Sequence, residues 1–283
     1  SSGVYFINVK NFEINEEFLR TLINKSLFEY NIGYLPTYIL YELINISLKF
    51  NQYPFYYFYY FLIGFEVFLI ICNYLGTIAF AASGALKGIK YKLDIFGMTL
   101  LATMTACGGG IIRDILLNEV PATLINPEGL YISIITTAIL YVFMKKFRRS
   151  IKKSKRKNGR RYRIIYVANL IFDSLGLSAF AIIGAEKGIG LNQNLITTAI
   201  LATLTGAGGG VIRDMLVSEV PAVLREDIYA VLAFGTGMLY HIMIKDLHFM
   251  KISTTILLFT ASLCIRLLII KYKINLPGAG KKI

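Results

Sequence analysis

The chain has 283 residues, 55% of them hydrophobic, and a mean hydropathy of +0.59; that leaves too little polar surface to cover a soluble domain of this length. Its net charge of +13 does not mark a nucleic-acid binder, because much of it is gathered in Lys145–Arg163 and no nucleic-acid fold motif accompanies the run. Cys72, Cys107 and Cys264 have neither metal-ligand nor disulfide spacing. They read as small hydrophobes within apolar runs.

In chain order, residues 1–64 form an extension that mixes Asn, Tyr, Phe and Ile with scattered charges. Phe12–Phe28 and Tyr38–Phe50 each fit an amphipathic helix lying at a membrane interface. The segment has no basic n-region and no small-residue cleavage site of the kind a signal peptide carries. Tyr53–Phe61 is an aromatic lead-in of the sort found at the headgroup level. Seven apolar runs follow: Phe65–Leu86, Ile95–Leu117, Tyr131–Phe147, Ile164–Ala185, Leu195–Val217, Ile228–Ile244 and Ile252–Ile270. A spanning helix needs about 20 mostly apolar residues. The expected fold is therefore an all-α, multi-pass membrane protein.

Short basic loops stay on the cytoplasmic side, and anionic headgroups attract them. Placing the 148–163 loop inside puts Gly88–Lys92, with Lys90 and Lys92, inside as well. Asn118–Glu128, which carries only acidic charge, falls outside, and the basic tail 271–283 inside. Lys245–Lys251 is mildly basic although it falls outside. His241 and His248, near one helix end and in that short loop, read as structural. The expected location is the cell membrane, N-terminus outside and C-terminus cytoplasmic.

The chain repeats itself. Thr105–Ala106–Cys107–Gly108–Gly109–Gly110–Ile111–Ile112–Arg113–Asp114 returns 100 positions later as Thr205–Gly206–Ala207–Gly208–Gly209–Gly210–Val211–Ile212–Arg213–Asp214. The register holds without a gap from Leu75/Leu175 to Leu124/Leu224, with roughly half of the positions identical. Residues 65–147 and 164–244 are thus two three-helix units. An odd number of spans in each inverts the second, and 252–270 is left as an unpaired seventh helix.

Glycines interrupting apolar helices at matching positions of two halves point to a transport site. Each glycine costs roughly 1 kcal/mol of helix stability, so a bend or an unwound turn is expected there, and in lipid its freed backbone groups need a lined cavity. Small residues also allow close helix packing, and both uses fit the pattern. Thr105, Gly108, Gly109 and Gly110, with Thr205, Gly208, Gly209 and Gly210, are the candidate lining of a path. Carbonyls freed at Thr105–Cys107 and Thr205–Ala207, together with the threonine hydroxyls, would suit a cation; half-helix N-termini near Gly110 and Gly210 would suit a carboxylate.

Intramembrane charges are functional candidates. Arg113 with Asp214, and Arg213 with Asp114, could cross-pair between the halves; interfacial snorkelling is the alternative. Gly76, Phe80 and Gly84 recur at four-residue spacing, on a face that can receive a neighbouring backbone. Lys87, Lys187, Asp94 and Asp173 are secondary candidates; Asp94 and Asp173 have Asn194 and Asn73 as their counterparts.

The strings LGTIAFAASGALKG, TACGGGIIRDILLNEVP, DSLGLSAFAIIGAEKG and TGAGGGVIRDMLVSEVP resemble both repeats of the prokaryotic family once called UPF0126. That family is now described as a glycine transporter domain and is related to the trimeric intracellular cation (TRIC) channels. The resemblance covers about Phe65 to Ile270. It implies seven helices as two inverted three-helix repeats plus one, a homotrimer, and a pore in each subunit kinked at the two Gly-Gly-Gly segments. Cys107 stands where the family more often has Leu. Conduction of potassium and sodium and carriage of glycine both remain open, as does a lipid-binding scaffold using the basic loop. GGGIIRD lacks the Gly-Lys-Ser/Thr of a phosphate loop. No metal site, cofactor or enzyme activity is expected.

Overall fold

The computed structural model describes residues 53–151, 158–225, 228–272 and 274. The interfacial helices expected at Phe12–Phe28 and Tyr38–Phe50, and most of the basic tail, lie outside the described residues. By contacts the chain divides into Ser1–Tyr59 and Tyr60–Ile283.

All seven apolar runs are helical. The described elements are α1 (Tyr53–Lys90), α2 (Ile95–Leu116), α3 (Ala122–Ile125), α4 (Glu128–Ile151), α5 (Asn158–Gly190), α6 (Leu195–Leu216), α7 (Ala222–Arg225), α8 (Ala230–His241), a π-helical turn (Ile242–Asp246) and α9 (Lys251–Tyr272). Five stretches are long and apolar enough to cross a membrane: Phe65–Lys90, Ile95–Leu116, Ile164–Gly190, Leu195–Leu216 and Lys251–Tyr272; Glu128–Met144 is apolar but shorter. Three sequence boundaries move. Helix α1 starts at Tyr53 instead of Phe65, and α4 and α5 run into the basic segment, ending at Ile151 and starting at Asn158.

The two halves repeat the same local devices. Each α-hairpin turn places one residue in the left-handed region, Lys92 (φ 58°) and Asn192 (φ 52°). An N-cap follows in each: Asp94 accepts from the Gly97 N–H at 2.7 Å, and Asn194 from the Thr197 N–H at 2.8 Å. Asp94, a secondary site candidate, thus serves as a helix cap.

Helix α6 lies at the centre, packed on α2, α5 and α8, while α9 covers α5 and α8. Phe80 and Phe180, counterparts in the two halves, meet with ring centroids 5.2 Å apart. Gly84 receives the α2 backbone, where a Cβ would come 2.7 Å from Ala102 Cα; Gly184 receives α6, 2.5 Å from the Leu201 carbonyl oxygen. Gly76 faces α5 at Ala179 and Phe180. Gly84 thus packs on the helix that carries the triple glycine, and Gly76 packs on α5.

Ion pairs fix the direction of one half against the other. Lys87 near the end of α1 meets Glu219 just after α6, and Lys187 near the end of α5 meets Glu119 just after α2. The α1–α2 turn therefore shares one face of the molecule with the end of α6, and the α5–α6 turn shares the other face with the end of α2. The α1–α2 and α5–α6 hairpins run antiparallel.

Candidate functional site

The triple glycines sit where α2 and α6 cross. Both helices continue through them, so no half-helix starts at Gly110 or Gly210. This corrects the expected unwound turn. A Cβ on Gly109 would collide with the carbonyl oxygen of Thr205, and one on Gly209 with that of Thr105; Gly208 abuts the Gly109 backbone, a Cβ there coming 3.2 Å from the Gly109 Cα. Tertiary packing that only glycine permits here offsets its low helix propensity. The hydroxyls of Thr105 and Thr205 each donate to the carbonyl four residues back, Leu101 and Leu201, at 2.6 Å.

Past the crossing, each half repeats one charged motif. Asp114 accepts from Arg113 through Nε at 2.8 Å and Nη2 at 2.7 Å, while its second oxygen accepts from the Ala122 N–H at 2.9 Å. Asp214 accepts from Arg213 Nε at 2.9 Å and from the Ala222 N–H at 2.9 Å. Each aspartate thus ties its helix end to the turn after Pro121 or Pro221. The arginines pair within their own halves, which corrects the expected Arg113–Asp214 and Arg213–Asp114 cross-pairing: a shared Asp oxygen lies within reach of the neighbouring guanidinium. The ion pairs between the halves come from lysines instead. Lys87 donates to Asp214 at 3.0 Å and to Glu219 at 2.6 Å, and Lys187 to Glu119 at 2.5 Å.

Beyond this shared motif the halves differ. Next to Arg113, a cavity of about 240 Å³ reaches inward from the face that carries the α5–α6 turn; Asn73, Thr77, Cys107, Gly110, Arg113 and Thr205 are among its lining. Glu128 stands in its wall and accepts from the Tyr74 hydroxyl at 2.7 Å. Around Arg213 the space is filled. Its Nη1 donates to Asp173 at 2.6 Å and to Ser83 at 2.6 Å, and Ser83 in turn donates to Asn169 at 2.7 Å. The ring of Tyr229 closes over this group, with the Arg266 guanidinium 4.7 Å from its centroid. Arg266 is 1% exposed.

Glu219 completes the set on the α1–α2 face. Burial pushes its carboxyl up, but bonds from Lys87, Lys90 and Tyr91 outweigh this and hold it at about 2. Of the candidates, Arg113, Asp114, Gly110 and Thr205 meet at the cavity, while Lys87, Asp173, Arg213 and Asp214 meet in the filled cluster. Lys187 stands apart with Glu119. Sequence reasoning missed Glu119, Glu219, Ser83, Tyr229 and Arg266. The duplicated Glu-Val-Pro strings and a lone arginine within an apolar run were the available signals.

Comparison with known proteins accounts for the duplication. The family profile described as Glycine transporter matches twice, over residues 70–146 and 170–245. The chain is 37% identical over 169 residues to the UPF0126 membrane protein YvgT of Bacillus subtilis, covering 60% of this chain and 77% of that protein. It is 31% identical over 210 residues to a UPF0126 membrane protein of Vibrio cholerae, covering 74% and 82%. A crystal structure of a prokaryotic TRIC channel in 0.5 M KCl superposes with a TM-score of 0.64 at 36% identity, covering 75% of this chain and 100% of that one. With its two copies of the repeat and several apolar helices, the chain belongs to the UPF0126 glycine transporter family and is a multi-pass membrane transport protein of the TRIC-like type.

Proposed function

We propose that the protein conducts monovalent cations, potassium and sodium, along a path beside the α2–α6 crossing. One observation carries this reading. Thr77 and Thr205 both line the cavity, and both hydroxyls donate to backbone carbonyls, of Asn73 at 2.8 Å and Leu201 at 2.6 Å. With the proton committed, each oxygen offers the cavity lone pairs, which suit a cation that sheds part of its water. The Arg113 charge in the wall is matched by Asp114, and Glu128 adds a carboxylate. Gly110 and Thr205 line the path; Gly108, Gly109, Gly208 and Gly209, with the Thr105 carbonyl against Gly209, let the two helices approach beside it, and Gly210 faces Tyr229.

The architecture proposed with it is seven spans, two inverted three-helix repeats plus α9, assembled as a homotrimer in the cell membrane. The antiparallel hairpins support the inversion, and α8 with its π-helical turn supplies the short third span of the second repeat. The basic loop, suited to anionic headgroups, supports a cytoplasmic side for the α1–α2 turn and the C-terminus.

A second reading, carriage of glycine, draws on Arg113 and Glu128 in one cavity wall, a pairing that suits a carboxylate and an ammonium. Potassium current and labelled glycine flux measured on one reconstituted preparation separate the two. Unitary currents without saturable glycine uptake are expected. Saturable uptake without unitary currents would replace the channel with a carrier.

A further inference from the structure

We propose that Tyr229, seated on Arg213 and Arg266, is a plug that closes the path toward the α1–α2 face, leaving it open only toward the opposite face. The proposal rests on the path described above and adds where it is shut. Its basis is the difference between two halves that share a motif. Both have the Arg-Asp pair and the aspartate-bound turn, with the same 2.9 Å bond to Ala122 or Ala222. Over Gly110 there is room: a Cβ there would approach nothing nearer than an Arg113 nitrogen at 3.8 Å. Over Gly210 the Tyr229 hydroxyl lies 3.0 Å from such a Cβ. The same register position opens on a cavity in one half and is capped by a tyrosine in the other.

Three sequence differences build the cap. Asp173 replaces Asn73 and binds Arg213, which draws the guanidinium across the space. Ser83, whose counterpart is Ile183, accepts from the same nitrogen. Arg266, from the helix that has no counterpart in the repeat, places its charge on the Tyr229 ring, an attraction between cation and ring face. Tyr229 shares a buried cluster with Leu177, Ala181, Ala207 and Ala233.

The plug is held but not locked. The Tyr229 hydroxyl is buried beside the Asp173 carboxylate without reaching hydrogen-bond geometry. A buried hydroxyl without a bond costs free energy that water would restore, so swinging outward recovers what the closed position forfeits. Arg213 remains paired with Asp173, Asp214 and Ser83 when the ring leaves.

Thiol accessibility in the reconstituted full chain tests this. In a background with Cys72, Cys107 and Cys264 changed to Ala, Ala207→Cys puts a thiol under the Tyr229 ring. A small membrane-impermeant cationic methanethiosulfonate is applied from the α1–α2 face. Adding Tyr229→Ala is expected to raise the modification rate by about tenfold or more, because protection then no longer requires local opening. Tyr229→Phe, which keeps the ring, is expected to leave it slow. Equal rates in all three would overturn the plug. In a second arm, Cys107 kept as the single thiol is challenged from the opposite face. Its reaction in the chain with Tyr229 intact supports the open cavity; its silence there counts against the path and leaves the rates at position 207 to decide the plug. Should Ala207→Cys fail to fold, potassium open probability in the otherwise native chain decides instead. A rise with Tyr229→Ala but not with Tyr229→Phe supports the plug, and no change overturns it.

Discussion

Lys87, at the end of the first helix of one half, reaches 3.0 Å from Asp214 in the other half, and both side chains are buried. Its counterpart, Lys187, pairs with Glu119 where both are about a third exposed, 35% each. Equivalent lysines thus do the same job in different dielectric surroundings. Removing one partner of a buried pair costs up to about 3–5 kcal/mol where a charge is stranded; here Asp214 keeps Arg213 and Glu219 keeps Lys90, so Lys87→Met loses a part of that. An exposed pair contributes about 0–1 kcal/mol. Lys87→Met should therefore lower the thermal midpoint of the detergent-purified protein more than Lys187→Met. Equal shifts would contradict this asymmetry.

The glycine crossing makes a steric prediction. Gly209→Ala drives a methyl into the Thr105 carbonyl, and overpacking of this kind costs about 1–3 kcal/mol or more. Gly235→Ala meets nothing within 4 Å, so it should be neutral or gain about 0.5–1 kcal/mol from helix propensity. Thermal midpoints and size-exclusion profiles of the two variants check this ordering.

The depressed Glu219 carboxyl sets a pH dependence. Its ordinary value is 4.5 and its folded value about 2, so the folded state favours the ionised form. The stability it contributes is complete above pH 4.5 and is lost as pH falls toward about 2. The gap in thermal midpoint between the native chain and Glu219→Gln should stay constant from neutral pH to that upper bound, then close. A gap that widens on acidification would reverse the sign and remove the assigned ion pairs.

Asp94 caps α2 as Asn194 caps α6, and asparagine caps as well as aspartate. Asp94→Asn should leave stability and potassium current unchanged, whereas Asp94→Ala should cost about 0.5–2 kcal/mol of stability. A change of ion selectivity in Asp94→Asn would return this residue to the path.

Much of the fold is legible in the sequence because it rests on apolar run length and on duplication, both local signals. The expectation of three spans per unit implies antiparallel hairpins, and the Lys87–Glu219 and Lys187–Glu119 pairs show the α1–α2 and α5–α6 hairpins antiparallel. The glycines mislead if read by propensity alone: Gly109 and Gly209 weaken a lone helix, but α2 and α6 need them to touch. Partner choice is less legible. Whether Arg213 takes Asp114 or Asp173 depends on how α5 is rotated against α6, which periodicity does not encode. Arg266 has no counterpart in the other repeat and Tyr229 stands where the first repeat has Gly129, so a search for matched residues passes over them, although they account for the difference between the open and the filled side.

The path itself is tested most directly at Cys107, a native thiol in the cavity wall. Potassium current through the reconstituted protein, with Cys72 and Cys264 changed to Ala, is recorded before and after a cationic, membrane-impermeant methanethiosulfonate is added to one face. The account predicts loss of current on addition from the α5–α6 face, and no loss when Cys107→Ala is also present. Undiminished current through protein shown by mass spectrometry to be fully modified at Cys107 would contradict it.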